Sequence, residues 1–254
     1  MDDAYLALLV DLHVHQARQG PGGADETRTA IALANLQTSK RLRIADLGCG
    51  TGASTLVLAE ALDADITAVD LAPEFIDVLS RTAGTRGLDQ KIHPLVGSME
   101  RPPFAESTFD VIWSEGAIYN MGFRNGVQTW RHYLKPGGVL VVSEITWTTD
   151  TRPAELHDYW LSAYPEIATA SSKIEALEQS GYAPLGYFAL PAHCWLDNYY
   201  QPLRAQIPEF LARHRHAEMA VEIAEAEEKE FAFYQKHSRH YSYGVYIAER
   251  IRGD

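Results

Sequence analysis

Residues 42–52 read Leu-Arg-Ile-Ala-Asp-Leu-Gly-Cys-Gly-Thr-Gly. An apolar run ends on an acid, glycine then recurs at positions 48, 50 and 52, and a helical pattern opens at Ala53. The pattern predicts a buried strand, a tight turn and a helix N-terminus. Glycine permits the positive φ such a turn needs and lets a ligand approach bare amides, while the unpaired N–H groups of the helix start favour negative charge. A nucleotide-type cofactor is the natural occupant.

The chain downstream repeats this alternation. Ser54–Leu62 is apolar-periodic, 65–70 is a short strand ending on Asp70, and Pro73 opens a helix where a missing N–H costs nothing. Strands follow at Ile92–Val96 and Thr108–Ser114, and a Lys135-Pro136-Gly137-Gly138 turn leads into a fifth strand that reaches Glu144. Strands separated by helical segments demand parallel pairing with crossover helices. Asp70, 18 residues past Gly52 at the carboxyl end of the second strand, either holds a ribose diol or caps the Pro73 helix. Both roles are compatible.

Outside that core, a helix is expected over Ala4–Ala17. Gln19-Gly20-Pro21-Gly22-Gly23 breaks it, and a second helix follows through Leu36. His13 and His15 cannot share one helix face, so they read as surface or core side chains rather than ligands. Pro153–Tyr164 reads helical, and Ser172-Lys173-Ile174-Glu175 is a capping-box pattern for a helix ending at Gly181. Tyr182–Leu190 and Tyr241–Ala248 supply strands six and seven. The intervening residues 191–240 read as an insertion with an acidic, largely solvated helix bearing Glu222, Glu225, Glu227, Glu228 and Glu230. The expected whole is one α/β domain over 1–254, with a cofactor-binding core at 42–144 and helical cap segments at 1–38 and 191–240.

Charge limits the partners. Lys and Arg total 22 against 34 Asp and Glu, a formal charge of -12, which disfavours nucleic acid and anionic membrane surfaces. A small molecule is the expected partner, with the chain a monomer or homodimer. The two cysteines, Cys49 and Cys194, form no paired or metal-binding spacing, so free thiols and no metal are expected. The acidic N-terminus and the lack of an apolar run near ~18 residues suggest a cytoplasmic protein.

Gly48, Gly50 and Ala53 also fit the loose G-x-G-x-x-G/A pattern of dinucleotide-binding folds. Asp46 separates the two readings, because an acid inside the turn suits a cofactor with a cationic amino-acid end and repels a pyrophosphate. Asp-Leu-Gly-Cys-Gly-Thr-Gly resembles the first motif of class I S-adenosylmethionine (SAM) methyltransferases. Phe109-Asp110 before strand four and Lys-Pro-Gly-Gly before strand five look like the same family, so the resemblance covers about residues 42–144. The chain looks close to bacterial small-molecule members often labelled quinone-biosynthesis-like. The resemblance implies a Rossmann-like, seven-stranded, mostly parallel sheet with helices on both faces, and SAM as cofactor. The implied cofactor residues are Gln19, Gly22, Asp46, Gly48, Cys49, Gly50, Gly52, Asp70, Leu71, Ser98, Met99, Ser114 and Glu115. Ser98 stands where the family commonly has an acid for the adenine amino group. The contact then falls to its hydroxyl and the Met99 amide, with Met99 or Leu71 against the ring. The loop at 19–23 is either a plain helix connection or, as in that family, a cover over the cofactor.

Strand four ends in Ser-Glu-Gly-Ala-Ile-Tyr-Asn, unlike the Asp/Asn-Pro-Pro-Tyr/Phe pattern that grips planar amino groups. The expected acceptor side is Tyr119, Asn120, Glu144, Trp147, Trp195 and Tyr199, with Glu144, Glu115 and Tyr119 as catalytic candidates. Acids mixed with aromatics suit an amine-bearing or aromatic metabolite, although the aromatics equally serve as core for the added helices. Two other functions fit the same turn: a nicotinamide-dependent oxidoreductase, and a SAM-binding scaffold without turnover.

Overall fold

The computed structural model describes residues 3–36 and 40–252. The ends of the expected first cap segment, at 1–2 and 37–38, lie outside the described residues.

The core follows the predicted alternation: β1 (Leu42–Leu47), α3 (Ala53–Ala61), β2 (Ala64–Asp70), α4 (Pro73–Thr85), β3 (Ile92–Val96), β4 (Phe109–Ser114), α5 (Phe123–Arg131) and β5 (Leu134–Trp147). Two N-terminal helices, α1 (Asp3–His13) and α2 (Ala24–Leu33), precede it. After it come α6 (Ala154–Ala163), a two-residue β6 (Ala168–Thr169), α7 (Ala170–Gln179), β7 (Tyr182–Ala189), α8 (Ala192–Trp195), α9 (Gln201–Arg213), α10 (Glu218–His237) and β8 (Tyr241–Arg250). The main sheet runs β3-β2-β1-β4-β5-β8-β7, with β6 paired separately to β5. Strands β1 to β5 pair in parallel, and β8 is antiparallel to both β5 and β7. Seven strands in one path match the expectation, and β6 adds a short eighth.

β1 carries Ile44, Ala45, Asp46 and Leu47 without solvent exposure, and β5 is buried from Val139 to Trp147. Such continuous burial is what a strand covered on both faces requires. The order of strands reverses between β1 and β4, paired at Ile44↔Val111 and Asp46↔Trp113. Their carboxyl ends diverge at this switch point, which opens a crevice there.

The cap is built from α1 against α9 and α10. Asp11 of α1 fastens it, its carboxylate lying 2.8 Å from both Arg213 Nη2 and His214 Nε2. The expected solvated acidic helix is only partly so. Glu222 and Glu225 of α10 are exposed, whereas Glu227 and Glu230 turn inward. Ala220, Ile223, Ala224 and Phe231 pack the inner face, and the two acids fall on the same side.

The capping box at Ser172 is also corrected. α7 starts earlier, and Thr169 caps it by accepting from the Ser172 amide at 3.4 Å. This places Lys173 inside the helix, where its ammonium donates to Glu144 Oε1 of β5 at 2.9 Å with both side chains nearly inaccessible. Burial opposes both charges, raising the Glu144 carboxyl and lowering the Lys173 ammonium. Removing one partner of such a pair leaves an uncompensated buried charge, whereas replacing both with apolar groups is far milder. Lys173→Met should lower the unfolding free energy by about 3–5 kcal/mol, and the Lys173→Met/Glu144→Leu double variant should recover most of the loss. Urea unfolding at constant slope measures both, and losses that simply add would contradict the pairing.

Candidate functional site

The glycine turn is held open from β2. Gly48 N and Cys49 N donate to Val69 O at 2.8 and 3.0 Å. Gly50 N donates to Asp70 Oδ2 at 2.8 Å, and Ala72 N donates to Asp70 Oδ1 at 3.0 Å. Asp70 thus fixes the turn and opens the Pro73 helix together. Burial raises its carboxyl while these backbone donors pull it down. Gly48 and Gly50 have φ of +73° and +56°. A Cβ at Gly48 would strike the Ala117 side chain, and one at Gly50 would strike Gln19 Oε1, so the strip of bare backbone is sterically required.

Beneath the turn lies Asp46, fully buried. Its Oδ2 accepts from Ser54 Oγ at 2.9 Å and Thr55 Oγ1 at 2.6 Å, while its Oδ1 has no hydrogen-bond partner among the described residues. An orphaned carboxylate oxygen is costly unless a donor or cation reaches it.

The N-terminal segment lies over the turn, so it is more than a helix connection. Gln19 Oε1 accepts from Thr51 N at 2.8 Å and its Nε2 donates to His13 O and Gln16 O at 3.2 Å. Arg18 pairs with Glu115 just beyond β4, and Glu115 also accepts from Thr27 Oγ1 at 2.7 Å and Trp113 Nε1 at 3.0 Å. Asn198 Nδ2 donates to Gly22 O at 2.7 Å, joining this loop to the helices after β7. Nearby, Glu26, His193 and Cys194 bring three ligand-type atoms within 4.8 Å of one another. His193 pairs with Glu26 at 3.2 Å, which joins α8 to α2, and burial with the Glu26 charge pushes the Cys194 thiol up to about 12.

One cavity of about 1070 Å³ extends from the turn to the cap. It gathers Gln19, Gly48, Cys49, Gly50, Asp70, Leu71, Ser98, Met99, Glu115, Tyr119, Asn120, Trp195 and Tyr199 from the sequence-based expectation. Leu71 is 64% exposed, an apolar side chain standing at the mouth. Ser98 accepts from Glu100 N at 3.2 Å, and Met99 is anchored through its carbonyl by Trp130 Nε1 at 2.9 Å.

Other expected residues do not line it. Glu144 is corrected from base to structural ion pair, since alternate strand residues face opposite ways and its neighbour Ile145 takes the cavity side. Trp147 packs under the Arg152 guanidinium, 4.2 Å from its ring centroid. Ser114 Oγ donates to Leu47 O at 2.7 Å, locking β4 to β1. Gly52 caps α3 with φ +90° against Leu79, and Gly22 packs on Arg18. Asp46 sits behind the wall.

The cavity also holds residues that sequence reasoning missed: His13, Arg18, Tyr159, Trp160, Tyr164, Glu227, Glu230 and Tyr243. His13, read as a surface or core side chain, stands on the cavity wall with its Nε2 3.5 Å from Glu227 Oε1. The spacing of Glu227 and Glu230, one helical turn apart, was the available signal.

A family described as "Methyltransferase domain" matches residues 44–138, from β1 into β5. The chain is similar to phosphoethanolamine N-methyltransferase 1 of Arabidopsis thaliana, 27% identical over 162 residues, which covers 63% of this chain and 32% of that protein. It is also similar to the ubiquinone/menaquinone biosynthesis C-methyltransferase UbiE of Geotalea daltonii, 27% identical over 174 residues, covering 67% of this chain and 73% of that one. The match spans about a third or less of the plant phosphoethanolamine relatives. Among solved structures, a SAM-dependent methyltransferase from Geobacter sulfurreducens in complex with S-adenosylhomocysteine superposes with a TM-score of 0.81 at 17% identity, covering 97% of this chain and 98% of that one. YjhP from E. coli gives 0.84 at 20%, covering 97% and 99%. The fold is therefore the Rossmann-like class I methyltransferase fold. No helix among the described residues is long and apolar enough to cross a membrane.

Asp46 makes the ligand-free protein pH-sensitive. Burial pushes its carboxyl up to about 7, against the hydroxyls of Thr55 and Ser54 that lower it. A folded-state value above the unfolded one, about 4, means extra protons bound when folded. The stability contributed is complete below the unfolded value and is lost as pH rises towards 7, at about 1.4 kcal/mol per unit. Asp46→Asn should flatten the fall in stability between about pH 5 and 7 by roughly 1–3 kcal/mol. Urea midpoints across that range measure it, and an unchanged slope would contradict the assignment.

Proposed function

We propose that this chain, whose core is a class I SAM-dependent methyltransferase domain, transfers a methyl group from SAM to a small-molecule acceptor held under its helical cap. The observation that carries the reading is the bare glycine strip at the strand switch point, bounded by the Asp70 carboxylate and by the unpartnered Asp46 oxygen. Asp70 suits a ribose diol, and each of its oxygens keeps a lone pair beyond its backbone bond. Ser98, the Met99 amide and Leu71 suit the adenine. Asp46 offers charge to the cationic amino-acid end.

When bound, SAM supplies a methyl carbon already activated by its sulfonium, so an acceptor lone pair forms the new bond as the carbon–sulfur bond releases its electron pair to sulfur. The protein's share is alignment and exclusion of water. The Arg18–Glu115 pair and Gln19 fasten the N-terminal segment over the turn, and the cap encloses the acceptor. Glu115, with its oxygens already taken by Arg18, Thr27 and Trp113, positions the cover and does not serve as a base. Tyr119 and Asn120, in the short 3₁₀ turn Ile118–Asn120, stand in the cavity to orient the acceptor. A metal is not part of the proposal, and neither is a nicotinamide cofactor, whose pyrophosphate would lie over the buried Asp46.

Calorimetry should give SAM and S-adenosylhomocysteine a stoichiometry of about one, with no binding of NAD(H). Asp70→Ala should weaken SAM by about 1–3 kcal/mol. Binding of NAD(H) in place of SAM would overturn the reading.

A further inference from the structure

The relatives named above methylate nitrogen in one case and carbon in another, so the acceptor class has to come from this chain's own cavity. The cap side is acidic and aromatic. Glu227 and Glu230 of α10 line it, and neither pairs with a Lys or Arg among the described residues. Glu230 Oε1 accepts from the Tyr200 phenol at 2.9 Å, and burial raises its carboxyl. Glu227 Oε1 faces His13 Nε2 at 3.5 Å, whereas its Oε2 is buried without a hydrogen-bond partner among the described residues. Arg18 is the Lys or Arg among the described lining residues, and it is committed to Glu115.

Aromatic rings surround the two acids. Tyr159 and Trp160 meet edge to face with centroids 5.4 Å apart, Trp195 and Tyr243 lie 5.0 Å apart, and His13 stacks on Tyr199 at 6.3 Å. Ring faces attract ammonium groups, and desolvated carboxylates need a cation or donor to offset their burial. An anionic acceptor end would be repelled here, and a neutral one would leave both carboxylates without a Lys, Arg or ligand ammonium beside them. The two features coincide for one chemistry.

We propose that the cap half of the cavity binds an amine-bearing acceptor as its cation, held by Glu227 and Glu230 within the wall of Tyr159, Trp160, Tyr199 and Tyr243, and that the ammonium proton passes to one of these two carboxylates, freeing the nitrogen lone pair that takes the methyl group. This rests on the methyl-transfer reading and names its substrate class. The cavity is larger than the few hundred Å³ that a single small ligand fills, so cofactor and amine can share it.

The test compares choline with its uncharged carbon isostere 3,3-dimethylbutan-1-ol, each titrated by calorimetry into the protein with S-adenosylhomocysteine present. Choline should bind at least ~30-fold more tightly. Glu227→Gln and Glu230→Gln should each cut that preference by roughly 10-fold while leaving the isostere's affinity within about twofold. The two variants are independent, and the wild-type comparison stands even where one fails to fold. Equal affinity for the two probes, or a preference that survives both substitutions, overturns the amine site. Titrating S-adenosylhomocysteine alone separates the two levels. Its binding without a choline preference removes only the amine site, whereas a choline preference without its binding removes the methyl-transfer reading and keeps a cation site.

Discussion

The two hydrogen bonds that Asp70 accepts, from Gly50 N and Ala72 N, hold the rest of the site in place. One side chain at the end of β2 fixes the turn after β1 and the start of α4, so two loops from adjacent strands take a single geometry. The glycines make that geometry possible, since side chains at positions 48 and 50 would collide with Ala117 and Gln19. Those two neighbours belong to the β4 exit and the N-terminal cover. The turn therefore sets the spacing of everything that faces it.

Electrostatics divides the cavity into distinct parts. At the β4 exit, Glu115 is neutralised by Arg18, and this pair closes the cover. Below the turn, Asp46 keeps one oxygen unpaired, and on the cap side Glu227 and Glu230 lack Lys or Arg partners among the described residues. Uncompensated acids beneath the turn and at the cap end of the cavity oppose folding and favour binding of positive charge. A fold that carries such a cost locally does so where a ligand relieves it.

The core was legible in the sequence because its signals are local. A strand, a glycine turn and a helix start are written within residues 42–61, and the same alternation repeats through β5. Side-chain direction near strand ends was not legible. Glu144 sits in the expected strand at the expected depth, but one residue of parity turns it away from the cavity and towards Lys173. The cap was hidden for another reason. α10 has acids on several faces, so its amphipathic stripe is blurred, and what buries Glu227 and Glu230 comes from α1 and from Tyr199 and Tyr200, distant in sequence. Long-range burial of a charged residue leaves no periodic signature in its own segment.

A crystal structure of the complex with S-adenosylhomocysteine tests the central claim most directly. The account predicts the ligand along residues 48–50, its ribose hydroxyls on Asp70, its adenine beside Ser98 and Leu71, and its amino group on the Asp46 side of the turn. Density for the ligand outside this cavity, or a complex in which Asp70 makes no contact with it, would contradict the account.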